Sequence, residues 1–259
     1  MSTEPTWIDS HCHVMECEGG SEAAIARARD NDVLAMVVVG TDLATSRAAV
    51  DLAKQHSDVF ATVGLHPHDA QHVNTQWEEL CDLAQSPNVV AIGETGFDFF
   101  YKHSDPEIQE TVFRQQIRLA HTLDLALVIH TRDAWADTWR VLQEETVPSR
   151  TVFHCFSGGP NEARTCLDMG ARISFSGIIS FRRANDLRAA AAVCPLDRVL
   201  VETDAPFLSP EPFRGKPNEP ARVKVVGSAL AQAINQPVAD VARATSQAAA
   251  EVFGLALSD

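Results

Sequence analysis

The amino-acid sequence predicts a single (β/α)8 barrel, the TIM-barrel architecture of the α/β class, over residues 1–259. Eight short apolar segments alternate with helical stretches, and eight β–α units in about 250 residues are typical of this barrel. Most segments are continuously apolar, as strands buried on both faces are. Polar residues follow segments from both ends of the chain. This favours a closed barrel over a doubly wound open sheet, because only closure brings the first strand beside the last.

The eight predicted strands are short, and many end on polar residues. They are segments 7–13, 33–41, 60–66, 89–94, 126–130, 151–154, 171–176 and 199–204. In the first segment, "WIDSHCH", alternate residues point to one face, so Asp9, His11 and His13 crowd one side. Burying three polar side chains is costly unless each has a partner, and a metal ion would be such a partner.

Helical spacing of apolar residues predicts the segments between the strands. The clearest are "TSRAAVDLAKQHS", "PEIQETVFRQQIRLAHTLDL" and "NDLRAAAAVC". Residues 218–220 are a predicted cap and first turn before the helix "ARVKVVGSALAQAINQ". A last helix is expected over residues 238–253.

Composition is that of an ordinary globular protein, with 45% apolar residues and a net charge of −14. Proteins that hold nucleic acid over a wide electrostatic surface are usually basic, so an anionic substrate would have to meet local positive charge, including metal ions. The longest apolar run, residues 33–39, is too short to span a membrane, and "MSTEPTW" lacks the features of a signal peptide. We expect a cytoplasmic monomer with free cysteines and no membrane partner.

Histidines and carboxylates follow six of the predicted strands. In strand order they are His11 and His13, His66 and His68, Glu94 and Asp98, His130, His154, and Asp204. In (β/α)8 enzymes this rim carries the chemistry. A lone histidine at a strand end is more often structural, so the prediction depends on the H-x-H pair and on the set as a whole.

Four imidazoles and two carboxylates are too many donors for one tetrahedral ion. They suit two divalent ions that share a carboxylate. The assignment is His11, His13 and Asp204 on one metal, His130 and His154 on the other, and Glu94 between them. Asp9 and Glu202 precede ligands by two residues, and either orient metal-bound imidazoles or pair with an arginine. These ligand types accept Zn, Mg, Mn, Fe or Co.

Seven motifs run in order from residue 9 to residue 220. They are "DSHCH", "GLHPHD", "GETGFDFFY", "HTRDA", "HCFSG", "ISFSGI" and "VETDAPFLSPEPFRGKPNEP". Together they resemble the motifs of the TatD family of metal-dependent hydrolases. Four nearby residues depart from the usual pattern: Thr95 and Phe97 replace aliphatic residues, and Phe99 and Phe100 replace tyrosines.

The resemblance implies a (β/α)8 barrel with an amidohydrolase-like site of two divalent metals, either Zn, Mg or Mn. It also implies phosphodiester hydrolysis, described for several members as DNase or 3′–5′ exonuclease activity. The ligands that it implies are His11, His13, Glu94, His130, His154 and Asp204. The four departures flank this site, so they bear on substrate preference rather than on the metals.

The expected reaction uses a water activated by the two ions. Asp204 is the best candidate for the general base, and Glu94 is expected to bridge the metals. Related barrels bridge their metals with a carboxylated lysine, but strand 4 has no lysine before Lys102. His66 is expected to contact the phosphate or to help protonate the leaving oxygen.

Positive charges after several strands favour an anionic substrate, because guanidinium groups match phosphate oxygens. They are Lys102, Arg132, Arg182, Arg183, Arg214 and Lys216. Arg214 and Lys216 are the predicted substrate-binding residues, together with His66. They lie in a proline-rich loop that can form a fixed wall. In that loop, Phe207 and Phe213 either stack on bases or pack the loop onto the barrel.

The leading interpretation is a metal-dependent DNase that acts on DNA or another phosphodiester. The alternative is a binuclear hydrolase of an amide, lactone or ester of a small molecule, which the ligand set also permits. A protein that keeps metals for stability alone is the third interpretation. An open rim with a complete ligand set argues against it, because structural zinc sites are closed by four ligands.

Overall fold

A computed structural model describes residues 5–255. Its eight strands form one sheet in chain order, β1 to β8. The strands are Trp7–Cys12, Val33–Val38, Val59–Val63, Val89–Asp98, Ala126–Arg132, Thr151–Phe153, Arg172–Phe175 and Val199–Val201. The pairs β3–β4, β4–β5, β5–β6 and β7–β8 are parallel. This order confirms the predicted (β/α)8 barrel class.

Nine α-helices separate or follow the strands in the described part of the chain. They are α1 to α9, at Gly20–Arg29, Leu43–Gln55, Val73–Leu83, Pro106–Leu123, Trp135–Glu145, Pro160–Asp168, Asn185–Val193, Val223–Ile234 and Val238–Phe253. The helices predicted from apolar spacing are confirmed, and α9 has the predicted bounds. No helix among residues 5–255 is long and apolar enough to cross a membrane.

Internal contacts divide the chain into two compact units. The first unit combines the chain up to Val37 with the residues from His154 onward, and the second unit is Val38–Phe153. Each unit contains its own group of the predicted site residues. The assignment of residues 1–259 to one domain stays a prediction.

In the first unit, β8 lies directly beside β1, as closure of the sheet requires. The Asp204 amide donates to the His11 carbonyl at 3.0 Å, and the His13 amide donates to the Ala205 carbonyl at 2.7 Å. The hydroxyl of Ser10 donates to the carbonyl of Val201 at 3.0 Å. These bonds set the segment after β8 against the end of β1, where the H-x-H pair lies.

In the second unit, β4 is longer than predicted and runs to Asp98 rather than ending at Glu94. Its last residues continue to pair with β5, with Gly96 opposite His130. Gly96 has a φ of +133°, and a Cβ there would lie 2.1 Å from the His130 carbonyl oxygen. Only glycine permits this close approach of the two backbones, so the strand continues past the point where its apolar pattern ends.

The predicted helix cap at residues 218–220 is wrong in one respect. Pro220–Arg222 form a short 3₁₀ turn, and α8 starts only at Val223. The side chain of Asn218 is buried, and its amide donates to the carbonyls of Thr203 and Phe207 at 2.9 and 2.8 Å. Asn218 therefore secures the loop after β8 instead of capping the helix.

Helix α8 packs against β1 through a glycine. A Cβ on Gly227 would lie 2.1 Å from Cζ3 of Trp7, whose side chain is fully buried. The tryptophan ring therefore occupies the space that any larger residue at position 227 would need.

We expect Gly227→Ala to destabilise the protein by about 1–3 kcal/mol, because overpacking outweighs the higher helix propensity of alanine. Urea denaturation followed by circular dichroism measures the change. Ser228→Ala, at the next position of the same helix, is the control and should stay within about 0.5 kcal/mol of wild type. A Gly227→Ala protein as stable as wild type would contradict this packing.

Candidate metal centres

Five buried or nearly buried donors of the first unit form what we call the first cluster. They are His11, His13, His154, Glu202 and Asp204. His11 is the fifth residue of β1, and the others follow β1, β6 and β8 by one to three residues. Their side chains therefore gather at the carboxyl ends of the strands, where parallel barrels carry their functional groups.

The H-x-H pair faces the Asp204 carboxylate, as the strand parity predicts. The Nε2 atoms of His11 and His13 lie 3.7 and 3.5 Å from Oδ1 of Asp204. Two ligands about 2.1 Å from one ion at a tetrahedral angle are about 3.4 Å apart. The spacing of these three side chains therefore fits a divalent cation between them.

His154 and Glu202 extend the same cluster. The His154 ring stacks on the His11 ring with 3.9 Å between centroids, and its Nδ1 lies 3.3 Å from Oε1 of Glu202. Oε1 also accepts the Cys155 amide at 2.8 Å, whereas the buried Oε2 has no hydrogen-bond partner in the described structure. A buried carboxylate oxygen without a partner is costly unless a cation meets it. Glu202 is therefore a candidate ligand that the sequence assignment did not include.

Asp9 is fully buried, but its contacts are with backbone and hydroxyl groups rather than with an imidazole. It accepts the amide and the hydroxyl of Thr203 at 2.9 and 2.5 Å, and the His11 amide at 3.4 Å. Burial raises the pKa of Asp9 to about 8, against the hydrogen bonds from Thr203 that lower it. Asp9 thus fastens β8 to β1, and neither it nor Glu202 pairs with an arginine among the described residues.

The Asp204 carboxyl has opposing influences on its ionisation. Burial acts to raise its pKa, but the hydrogen bond from His13 and the charges of His11 and His154 outweigh it, so the pKa is lowered. Asp204 is thereby kept as the carboxylate, the form that ligates a cation or accepts a proton.

The second unit holds a separate group of donors, which we call the second cluster. It consists of His66, Glu94 and His130. Oε1 of Glu94 lies 2.9 Å from Nδ1 of His130 and 3.4 Å from Nε2 of His66. The 3.4 Å spacing matches two ligands of one ion, whereas 2.9 Å is a hydrogen-bond distance. A cation held here would therefore compete with a proton on His130.

Asp98 supports this second cluster from the end of β4. Its Oδ2 lies 3.3 Å from Nε2 of His130 and 2.9 Å from Nε2 of His68. Burial acts to raise the pKa of Asp98, but hydrogen bonds from His130, the Tyr101 amide and His68 outweigh it and lower the pKa. Such a carboxylate orients an imidazole ligand, which is the usual role of a group behind a metal-bound histidine.

Two glutamines of α4, which the sequence analysis did not select, hold the strands that carry the second cluster. The Gln116 amide accepts the Leu65 amide and donates to the Leu65 carbonyl, both at 2.9 Å, and donates to Thr95 Oγ1 at 2.6 Å. Leu65 and Thr95 are the chain neighbours of His66 and Glu94. Gln109 bonds both backbone groups of Asp98 in the same way, at 2.9 and 3.3 Å.

A signal for these glutamines exists in the sequence. Gln109 and Gln116 lie seven residues apart and therefore share the face of α4 that buries Val112 and Phe113. An amide on a buried helix face needs hydrogen-bond partners, which here are the backbone groups of neighbouring strands.

The remaining predicted residues lie in the loop after β8. Arg214 is exposed, its guanidinium lies 3.9 Å from the centroid of the Phe181 ring, and Nη1 donates to the Ser209 carbonyl at 3.2 Å. Lys216 is exposed, and its carbonyl accepts the Ser209 hydroxyl at 2.6 Å. Phe207 is 50% exposed with its ring centroid 6.0 Å from that of His13.

The structure groups the predicted ligands differently from the sequence assignment in two places. His154 lies with His11 and Glu202, and His130 lies with His66 and Glu94. His66, which the sequence assignment placed on neither metal, thus lies in a donor cluster. The sharing of one ion by His130 and His154, and the bridging role of Glu94, stay predictions.

The fold and its two donor clusters define a (β/α)8 protein of the metal-dependent hydrolase class. The chain belongs to the TatD related DNase family, whose model matches residues 8–254. This result confirms the family resemblance of the seven motifs.

Individual relatives match along almost the whole chain. An uncharacterized metal-dependent hydrolase of Bacillus subtilis, YabD, is 37% identical over 252 residues, covering 95% of this chain and 98% of its own. The 3′-5′ ssDNA/RNA exonuclease TatD of Shigella flexneri is 36% identical, covering 90% and 92%. The structure of YJJV, a TatD homologue from Escherichia coli, matches with a TM-score of 0.89 and 30% identity, covering 96% and 98%.

We expect Gln116→Leu to weaken metal binding about tenfold, because the backbone beside His66 and Glu94 loses its clamp while the helix keeps a residue of similar size. Isothermal titration of the metal-free protein with Mn²⁺ or Zn²⁺ measures the change.

Gln115→Leu, at the adjacent position of α4, is the matched control, since the structure records no bond from its buried Oε1 to either strand. Equal metal affinity of the two variants would show that Gln116 does not position the second cluster.

Proposed function

We propose that this protein is a metal-dependent phosphodiesterase, and specifically a deoxyribonuclease of the 3′–5′ exonuclease type that uses two divalent ions. The observation that supports this most directly is the grouping of imidazoles and carboxylates into two clusters at ligand spacing. One relative of this family carries the name of a 3′-5′ ssDNA/RNA exonuclease. Membership of the family supports metal-dependent hydrolysis. The cleavage of phosphodiester bonds and the use of two ions are what we propose in addition.

The residues present fit the two ions. His11, His13 and Asp204 would hold one, supported by His154 and Glu202, whose buried Oε2 has no hydrogen-bond partner in the described structure. His130, Glu94 and His66 would hold the other. When bound, divalent ions at these clusters supply the Lewis acidity that activates water and stabilises charge on a phosphoryl group.

Asp204 is the proposed general base. Its lowered pKa keeps the carboxylate able to accept a proton from the attacking water, and its side chain retains some contact with solvent. Glu94 is the second proposed catalytic residue, because its carboxylate contacts both imidazoles of the second cluster and would hold the ion there.

His66 fits a ligand role better than the role of a proton donor. Burial lowers the pKa of His66 to about 4, although the negative charge of Glu94 acts to raise it. The ring is therefore neutral at pH 7. A neutral imidazole offers one unprotonated nitrogen that can bind a metal, but it is not the acidic imidazolium that would donate a proton to a leaving oxygen. Contact between His66 and the substrate phosphate stays part of the proposal.

Substrate recognition is assigned to positive and aromatic groups in the loop after β8. Arg214 and Lys216 are exposed in a strongly acidic chain and can meet phosphate oxygens. The exposed ring of Phe207 stands beside the ligand His13 and can contact a base or sugar. Of the two predicted roles of Phe207, its 50% exposure favours substrate contact over loop packing.

The test is an assay of the purified protein with Mg²⁺, Mn²⁺ or Zn²⁺ on single-stranded DNA, bis-p-nitrophenyl phosphate and a panel of amides and lactones. We expect metal-dependent cleavage of the phosphodiesters, abolished by EDTA. We expect Asp204→Asn to lower kcat by at least about 100-fold, because the general base is lost.

Asp197→Asn, which changes an exposed carboxylate of the same unit, is the control and should keep wild-type activity. Hydrolysis of amides or lactones without cleavage of phosphodiesters would show that the protein is the alternative hydrolase and not a phosphodiesterase. Full activity of a folded Asp204→Asn protein would remove Asp204 from the mechanism.

A further inference from the structure

Two large aromatic side chains are exposed immediately after β4. Phe100 is 57% exposed and Tyr101 is 52% exposed, and their rings meet edge to face with 4.8 Å between centroids. Apolar groups this large are normally buried, so a pair of them side by side on the surface of an enzyme indicates a binding function. Neither ring takes part in the metal clusters.

A cation lies within contact distance of both rings. The guanidinium carbon of Arg132, the last residue of β5, lies 4.2 Å from the Phe100 centroid and 4.8 Å from the Tyr101 centroid. Among residues 5–255, no carboxylate lies within salt-bridge distance of Arg132. In a chain with a net charge of −14, an unneutralised guanidinium beside exposed rings is available for an anion.

His103 completes the group, which we call the aromatic platform and define as Phe100, Tyr101, His103 and Arg132. The His103 and Tyr101 rings are parallel within 8°, with 5.6 Å between centroids. His103 also meets the His68 ring edge to face at 4.6 Å. The platform therefore consists of flat groups and one cation.

The platform is fastened to the second cluster by Asp98. Oδ1 of Asp98 accepts the amides of Phe100 and Tyr101 at 3.0 and 2.8 Å, while Oδ2 lies 3.3 Å from Nε2 of His130. One buried carboxylate thus holds both the backbone of the platform and a candidate metal ligand. The position of a molecule bound on the platform is consequently fixed relative to the side chain of His130.

We propose that the aromatic platform binds an unpaired nucleobase of a single-stranded nucleic acid, with Arg132 on an adjoining phosphate. Stacking on aromatic rings suits any base because every base has a π-face, and a paired base inside a duplex does not offer that face. The cation provides the charge complementarity that an apolar protein partner would not use. This inference rests on the proposed phosphodiesterase function and adds the site at which a base of the strand binds.

The chain contains one tyrosine, which allows a direct test. Protein labelled with 3-fluorotyrosine gives a single ¹⁹F resonance, that of Tyr101. We expect this resonance to shift on addition of a single-stranded oligonucleotide with nuclease-resistant phosphorothioate linkages, in the presence of Mg²⁺. An oligonucleotide of the same length made only of abasic sites should give a clearly smaller shift, because it offers a phosphate to Arg132 but no base to the rings.

Kinetics provide the second test. The KM of wild type for a base-bearing single strand should be at least about tenfold lower than its KM for an abasic strand, because stacking on an aromatic ring stabilises a bound base. Substitution of both rings by leucine, Phe100→Leu with Tyr101→Leu, should raise KM for the base-bearing strand to the abasic value and leave kcat unchanged. Leu34→Ala, at an exposed apolar residue of β2, is the control and should retain the wild-type difference.

The outcomes separate this inference from the proposed function. Cleavage of both strands with equal KM by wild type, or an unshifted ¹⁹F resonance at saturating oligonucleotide, would overturn the platform and leave the phosphodiesterase in place. Absence of phosphodiester cleavage together with a base-dependent ¹⁹F shift would overturn the proposed phosphodiesterase activity but support base binding at the platform. A shift of equal size with abasic strands would show that only the phosphate binds, at Arg132, and would overturn base stacking on the platform.

Discussion

Imidazoles and carboxylates lie against one another with little access to water, and the surrounding structure is organised around this costly arrangement. His11 and Glu202 are fully buried, and Glu94 is 4% exposed. Removing such groups from water costs several kcal/mol each unless a partner of opposite charge replaces the solvent. Protein groups supply only part of that compensation, as the buried Oε2 of Glu202 shows. A divalent cation held by these residues would supply the remainder and, at the same time, the Lewis acidity for hydrolysis.

The scaffold around each cluster is built to keep these costly side chains in place. In the first unit, Asp9 ties Thr203 to β1 and so fixes the segment that carries Glu202 and Asp204. In the second unit, the amides of Gln109 and Gln116 bond strand and loop backbone from helix α4. Each unit thus uses buried polar bonds to backbone rather than apolar packing alone. Bonds of this kind define positions more narrowly than apolar contacts, which tolerate small shifts.

Much of this arrangement could be predicted because it depends on local periodicity. Alternation along β1 places His11 and His13 on one face, and parallel strands bring their carboxyl ends to one edge, so the strand order and the position of the donors at the strand ends were predictable. Which donors lie close together depends on distances in the folded protein that the spacing of residues in the sequence does not determine. His66 lies with Glu94, and His154 lies with Glu202, although neither pair was predicted. The length of β4 depends on the close approach at Gly96, and the role of Gln116 depends on which backbone groups face α4.

The most direct test of this account is the number of metal ions that the chain binds. After dialysis against Mn²⁺ or Zn²⁺, inductively coupled plasma mass spectrometry gives ions per chain for wild type, His13→Ala and His130→Ala. We expect two ions for wild type and one for each variant, because each substitution removes a ligand from a different cluster. A wild-type protein that binds no metal, or variants that both retain two ions, would contradict it.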